Sequence, residues 1–336
     1  MAVISPRWPG TRSGSIKGVR VWRLPIIPFR PFVMISYVAS VFVFTLLRVA
    51  RFDLVAVHLA YFQADAVVVT ARARGRPVWV KVAADGHFGE IARMRRAVPL
   101  TPLIGLRWAS RVQATSDAIA NELKAIGVRD ERVARIPNGV DVLRFCPAEP
   151  LEARSLRAVA NLPQDAVIVL FAGRLAEHKG INDLLRAWAL LNLPRTLLLL
   201  VGSANTMDKV KLGFETDDIL IRPWTPQIDQ YYRAADIFVL PSHVEGMSNA
   251  LLEAMATGLP VIATRVGASE SMIDDARNGL LVNTGKPAEL ATALRRLIAD
   301  PTLRARLGRE ARSTILDHFS IGRVVDRLES AYEELM

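Results

Sequence analysis

Two carboxylates, Glu245 and Glu253, flank a turn that opens a helix in the segment PSHVEGMSNALLEAMATGLPVI at 241–262. An apolar strand, Ile237–Leu240, leads into that turn, and ALLEAMATG has helical spacing with Gly258 as its C-cap. The N–H groups at such a helix start lack intrahelical partners and sit at the positive end of the helix dipole. The turn residues Gly246, Met247, Ser248 and Asn249 therefore offer a place for phosphate. Glu253 falls about one turn further in, where a carboxylate would repel a bare phosphate but accept hydrogen bonds from sugar hydroxyls. An anion site beside a hydroxyl acceptor suits a nucleotide or a nucleotide sugar. The same residues are also compatible with a buried strand-to-helix connection, with a capping Ser or Asn and two solvated glutamates.

The pattern occurs a second time. In VIVLFAGRLAEHKGINDLLRAWALL a strand (Val167–Ala172) runs into a turn at Gly173-Arg174, followed by a helix from about Ile181. Arg174 and Lys179 lie in or beside that turn. There a planar guanidinium and a mobile ammonium can hold the two phosphates of a diphosphate, although a solvated loop cation is the usual fate of either. Further apolar runs are Thr196–Val201, Ile219–Ile221 before Pro223-Trp224, Ile237–Leu240 and Val261–Thr264. Strands that are apolar throughout and alternate with amphipathic helices predict a parallel sheet covered on both faces. Ligands then bind beyond the carboxyl ends of the strands.

With these motifs in place, the chain resembles the retaining glycosyltransferases of family 4, the group 1 transferases of the GT-B fold. The resemblance rests on IPNGVDVLRF at 136–145, AGRLAEHKG at 172–180 and EGMSNALLE at 245–253, followed by EAMATGLPVIAT and VGASESMI. It covers most of residues 110–336. It implies an α/β molecule of two Rossmann-like domains whose parallel sheets face a cleft. By resemblance, Arg174 and Lys179 neutralise the donor diphosphate and Glu245 holds the transferred sugar. The amides of Gly246, Met247 and Ser248 line sugar and phosphate, Glu253 binds the ribose, and the loop Arg222–Trp224 lies near the base. Family members commonly carry Gly just before that Trp; Pro223 stands here.

The implied reaction needs no metal and no cofactor beyond the nucleotide-sugar donor. Cations and a helix N-terminus aimed at the departing diphosphate stabilise the charge that builds there. The family is thought to keep the anomeric configuration by same-face attack, without a covalent nucleophile. Paired carboxylates can also signal glycoside hydrolysis. Only one of the two lies in the loop near the sugar, so hydrolysis is the weaker reading.

Composition narrows the setting. A chain of 336 residues with 51% apolar content can build two cores. A single cysteine, Cys146, excludes a disulfide within the chain and points to a reducing compartment. The short apolar start Met1-Ala2-Val3-Ile4 gives way at once to Ser5, Pro6 and Arg7, with Gly10 close behind, unlike a signal peptide, and the histidines lack metal-ligand spacing. Residues 1–111 hold 17 Lys/Arg against 4 Asp/Glu, a net of +13, whereas residues 112–336 have a net of −3. Nothing there has the aromatic–basic interleaving of a nucleic-acid module. The expectation is a cytoplasmic protein in peripheral contact with the anionic inner face of a membrane, acting on a glycolipid or polysaccharide acceptor. The uncharged run Pro31–Leu47 is 17 residues long. That is shorter than the roughly 20 needed to span a bilayer, and it is expected to pack on the sheet or lie at an interface.

In the N-terminal half, Leu54–His58 and Val78–Ala83 read as strands with a helix over Ala60–Arg72 between them. In the family a His often follows the second of these. Here KVAADGHFGE makes Asp85, Gly86 and His87 candidates for the acceptor side. Family members usually begin with a strand and a Gly-rich loop before the segment resembling GVRVWRLP at 18–25. The resemblance thus implies that the first domain starts about one strand–helix unit late, through a late start site, a fragment, or a homologue that binds without turnover. The expected organisation is an incomplete first domain over 1–145 and a nucleotide-sugar domain over 150–318. A C-terminal helix over 319–336 returns to the first domain. A nucleotide-sugar epimerase on the same fold and a non-catalytic binding subunit remain as alternatives.

Overall fold

Parallel strands that bury both faces dominate the chain because their residues are apolar at every position, not at alternate ones. The computed structural model describes residues 1–336 apart from 9, 17, 30–31, 85–88, 99–100, 102 and 204–216. It divides into two units, residues 1–136 together with 329–336, and residues 137–328.

The first unit contains β1 (Ala2–Pro6), β2 (Gly14–Ile16), β3 (Val19–Leu24), α1 (Phe32–Arg48) and β4 (Val55–His58). These are followed by α2 (Phe62–Ala73), β5 (Val78–Val82), α3 (Glu90–Ala97), α4 (Ile104–Arg107), β6 (Arg111–Ala114), α5 (Asp117–Ala125) and β7 (Val133–Arg135). Its strands form two sheets, one of order β1-β3-β2 and one of order β4-β5-β6-β7. The second is parallel throughout, with Val57, Val80, Val112 and Val133 in successive registers. In the first, β1 runs parallel to β3 and β2 antiparallel to it. One hydrophobic cluster joins Leu24 of β3, Val41 of α1, Val57 of β4 and Val80 of β5. The last residues of the chain close on this unit: Tyr332 packs edge-on against the buried Trp79 ring at 4.9 Å, and Glu334 meets Arg111 at 2.8 Å.

The second unit contains α6 (Pro150–Val159), β8 (Val167–Ala172), α7 (Ile181–Ala189), β9 (Thr196–Gly202), β10 (Ile219–Pro223), α8 (Ile228–Ala234) and β11 (Ile237–Leu240). After these come α9 (Asn249–Ala256), β12 (Val261–Thr264), α10 (Ser269–Met272), β13 (Leu280–Val282), α11 (Pro287–Ala299), α12 (Pro301–His318) and α13 (Ile321–Glu333), whose residues from Glu329 onward belong to the first unit. Its six strands are all parallel, in the order β10-β9-β8-β11-β12-β13. Successive residues of β8 and β9 go to opposite cores. Ile168, Leu170, Leu197 and Leu199 pack with α9 and α12, while Val169, Phe171, Leu198 and Leu200 pack with α7 and α11. This is the doubly covered parallel sheet that the apolar runs predict.

Candidate active site

Because every strand of the second unit runs the same way, the loops after β8, β11 and β12 emerge on one edge of its sheet. The β8 loop ends at Gly180, whose φ of 71° is left-handed. A Cβ there would overlap the Pro241 carbonyl, so only glycine lets the β8 and β11 loops come this close. The His243 N–H donates to the His178 carbonyl at 2.9 Å and ties the same two loops backbone to backbone. Gly267 does the equivalent for the β12 loop: its own Cβ would overlap the Glu245 carbonyl, and the Ala268 N–H donates to the Gly246 carbonyl at 2.8 Å.

These contacts bring Lys179 and Glu245 together. Lys179 Nζ lies 2.6 Å from Glu245 Oε1, with side-chain exposures of 23% and 10%. The fully buried Ser242 donates its Oγ to the same oxygen at 2.8 Å, and its carbonyl in turn accepts from Thr264 Oγ1. Two donors thus occupy Oε1, while Oε2 takes no donor among the described residues and is available to a ligand hydroxyl. Arg174 stands on the same loop as Lys179, exposed and outside any ion pair among the described residues.

Ser248 caps α9, its Oγ accepting from the Leu251 N–H at 3.4 Å. The N–H groups of Gly246, Met247 and Ser248 donate to nothing among the described residues, so an anion arriving there finds unspent donors at the positive end of a helix. Asn138 positions this turn. Its N–H meets Met247 Sδ at 3.1 Å, and its Nδ2 meets the Met247 carbonyl at 3.4 Å and Asn249 Oδ1 at 3.1 Å.

Glu253 lies on α9, mostly buried. Burial pushes its carboxyl up from the ordinary value, while a hydrogen bond from Tyr232 and the charge of Arg144 act in the opposite sense. The buried Tyr232 hydroxyl is shared between Glu253 and the Ala250 carbonyl at 3.2 Å, and burial followed by the Glu253 charge pushes it well above its usual value. Arg144 is held by Asp229 at 2.8 Å and by the Pro226 carbonyl.

Some expectations are corrected or fall outside this site. Arg222 and Pro223 are the last residues of β10, paired with Val201 and Gly202, and not part of a loop. Trp224 follows them, 70% exposed, at the carboxyl end of the edge strand β10. Asp85, Gly86 and His87 lie outside the described residues. Beside them Glu90 is fully buried, its carboxylate accepting from the Ala83 and Ala84 N–H groups at 2.8 and 3.0 Å. At the carboxyl ends of β4 and β5, His58 stands in register with Lys81. Burial and then the Lys81 charge push the His58 ring down, and burial pushes Lys81 down.

The sequence reading missed Ser242, Asn138, Arg144, Glu90 and the pair Asp183–His243, whose Oδ2 and Nε2 are 2.7 Å apart. That pair links the first turn of α7 to the β11 loop. Asn138 and Arg144 stood inside a quoted motif, IPNGVDVLRF, without a role; the others become legible only once the loops are folded against each other.

Comparison with known proteins identifies the family. Residues 152–314 match the model of glycosyl transferases group 1, and residues 2–139 match that of the glycosyl transferase 4-like domain. A D-inositol 3-phosphate glycosyltransferase of Saccharomonospora viridis is 33% identical, over 95% of this chain and 80% of its own length. The enzyme of that name from Acidothermus cellulolyticus is 31% identical over 77% of this chain and 68% of its own, and that from an Arthrobacter species aligns over 51% of its own length. Among solved structures, Anabaena HepE in complex with UDP superimposes with a TM-score of 0.81 at 21% identity, over 95% of this chain and 87% of that one. A sucrose-phosphate synthase from Thermosynechococcus elongatus gives 0.79 at 24%, over 99% and 88%. The parallel sheets and these matches converge: the chain belongs to the group 1 glycosyltransferases, with the GT-B fold.

Proposed function

We propose that this glycosyltransferase moves a sugar from a UDP- or GDP-sugar to a hydroxyl of a glycolipid or polysaccharide, with retention of configuration and without a metal. It would act at the inner face of the cytoplasmic membrane. The observation that carries the proposal is the Lys179–Glu245 pair lying beside three unspent N–H groups at the start of α9. Solved structures of HepE hold UDP, and one holds UDP-glucose, which supports a nucleotide sugar as donor.

On this reading Lys179 and Arg174 take the diphosphate together with the Gly246, Met247 and Ser248 N–H groups. Glu245 Oε2 accepts a hydroxyl of the sugar, and Glu253 accepts from the ribose. As the bond to the diphosphate breaks, charge accumulates opposite the cations and the helix start, where it is stabilised most. The acceptor hydroxyl attacks from the face the diphosphate leaves, and its proton departs with the diphosphate. A phosphorylated cyclic polyol is a second acceptor class, favoured by relatives that act as D-inositol 3-phosphate glycosyltransferases.

The test is incubation with UDP-glucose or a GDP-sugar and candidate acceptors, following nucleotide release and the anomeric proton coupling of the product. An α-linked product from an α-linked donor supports the reading. An inverted product, or nucleotide release with only free sugar formed, contradicts it.

A further inference from the structure

The first 51 residues contain eight Lys/Arg and no Asp or Glu. They also carry a large share of the exposed large apolar side chains, concentrated on α1 and the segment strapped along it. The helical stretch Phe32–Arg51 is 20 residues long, because the helix runs on through Arg48 into a further turn beyond the uncharged run. Two hydrogen bonds hold residues 25–29 beside it: the Ile27 N–H donates to Ser36 Oγ at 2.9 Å, and Ser40 Oγ donates to the Pro25 carbonyl at 2.7 Å.

The helix has two apolar faces. Val41 and Thr45 are buried, and Tyr37 and Phe44 pack against the core of the first unit. The other face presents Phe32, Ile35, Phe42 and Leu47, exposed by 40–71%, with Ile27 and Phe29 of the strap exposed by 50% and 70%. Cations border the helix at its carboxyl end. Arg48 lies over the Trp22 and Phe44 rings, Arg20 over Trp22, and Arg51 follows in the next turn. None of the three is in an ion pair among the described residues. The stretch is long and apolar enough to cross a bilayer, but its stripe at Val41 and Thr45 is committed to the protein core, which favours lying along a membrane over crossing it.

We infer that the outer face of α1, with Ile27 and Phe29, seats in the headgroup–acyl boundary of an anionic leaflet, and that Arg20, Arg48 and Arg51 hold the lipid phosphates. This deepens the acceptor reading above and rests on it only for where the acceptor resides. Donor binding measured on the same samples reports on that reading separately.

The experiment is co-sedimentation of the full chain with phosphatidylglycerol–phosphatidylcholine vesicles and with pure phosphatidylcholine vesicles, at low and high salt. The variants are Ile35→Glu/Leu47→Glu and Arg20→Gln/Arg48→Gln, with circular dichroism and UDP titration on each. The wild type should bind the anionic vesicles and be released by salt. The glutamate variant should lose binding, and each arginine removed should weaken it about fivefold, all with unchanged dichroism. Three outcomes overturn the proposal: no vesicle binding by the folded wild type, equal binding to both vesicle types, or a concentration-dependent dimer that the glutamate variant abolishes. The last would mean a second copy covers this face.

Discussion

Lys179 Nζ sits 2.6 Å from Glu245 Oε1, and Ser242 donates to that same oxygen. The ammonium is therefore paired with the carboxylate, and the second oxygen of Glu245 takes no donor among the described residues. On the proposed function, a bound diphosphate would take over the ammonium from Glu245.

Lys179→Ala is expected to lower kcat by about 10²–10³-fold, the usual cost of removing one group aimed at developing charge. Donor affinity should fall less, because the charge matters most as the diphosphate leaves. Steady-state kinetics beside direct donor titration check this. An equal loss in both would assign Lys179 to ground-state binding.

Glu253→Gln should separate stability from function. Burial raises the Glu253 carboxyl above its ordinary value. Its contribution to stability is therefore complete below the unfolded-state value and is lost as pH rises through the folded-state value. The amide does not titrate, so the variant's melting temperature should exceed the wild type's at neutral pH and converge with it in acid. Donor affinity should drop about tenfold through weakened ribose contacts. Thermal melts across pH, paired with titration, read both.

Gly180→Ala is expected to destabilise the second unit by more than about 3 kcal/mol and to abolish activity, since its Cβ would overlap the Pro241 carbonyl at a left-handed φ. Gly285 has a similar φ of 69° but open space around it. Gly285→Ala should cost only about 1 kcal/mol. Similar losses in denaturant melts of the two variants would show that backbone conformation, and not the contact with Pro241, sets the requirement.

Asp183→Asn and His243→Gln break the 2.7 Å link between α7 and the β11 loop. The two side chains are paired with each other, so each is expected to act through the placement of Lys179 and Glu245. Both variants should lower kcat about tenfold with KM for the donor nearly unchanged, as expected when positioning within a bound complex loosens. A larger rise in KM than fall in kcat would place His243 in contact with the donor.

Much of the second unit was legible in the sequence, for a physical reason. Its strands are buried on both faces, so their apolar runs stand out and locate each strand's carboxyl end, where the candidate site residues lie. Ser248 caps α9, and Gly258 ends it with a φ of 78°, where turn chemistry predicts. The extent of β10 was missed because Pro223 reads as a breaker, yet it can end a strand on the edge of a sheet. Asp183–His243 and Asn138–Met247 escaped because each depends on segments distant in the chain meeting in space, which no spacing along the chain encodes. Helix α1 was legible as an apolar helix, but its division into an inward stripe at Val41 and Thr45 and an outward one at Ile35 and Leu47 was not. Both stripes are apolar, and periodicity cannot separate them.

The most direct test of the donor site is a calorimetric titration of UDP, GDP and their common sugar conjugates into the wild-type chain and into Arg174→Ala/Lys179→Ala. Saturable one-site binding of one nucleotide class is expected, weakened more than about 100-fold in the double variant, with both proteins equally folded by circular dichroism. Binding of equal strength in the two proteins, or none by the folded wild type, would contradict a donor site built on Arg174 and Lys179.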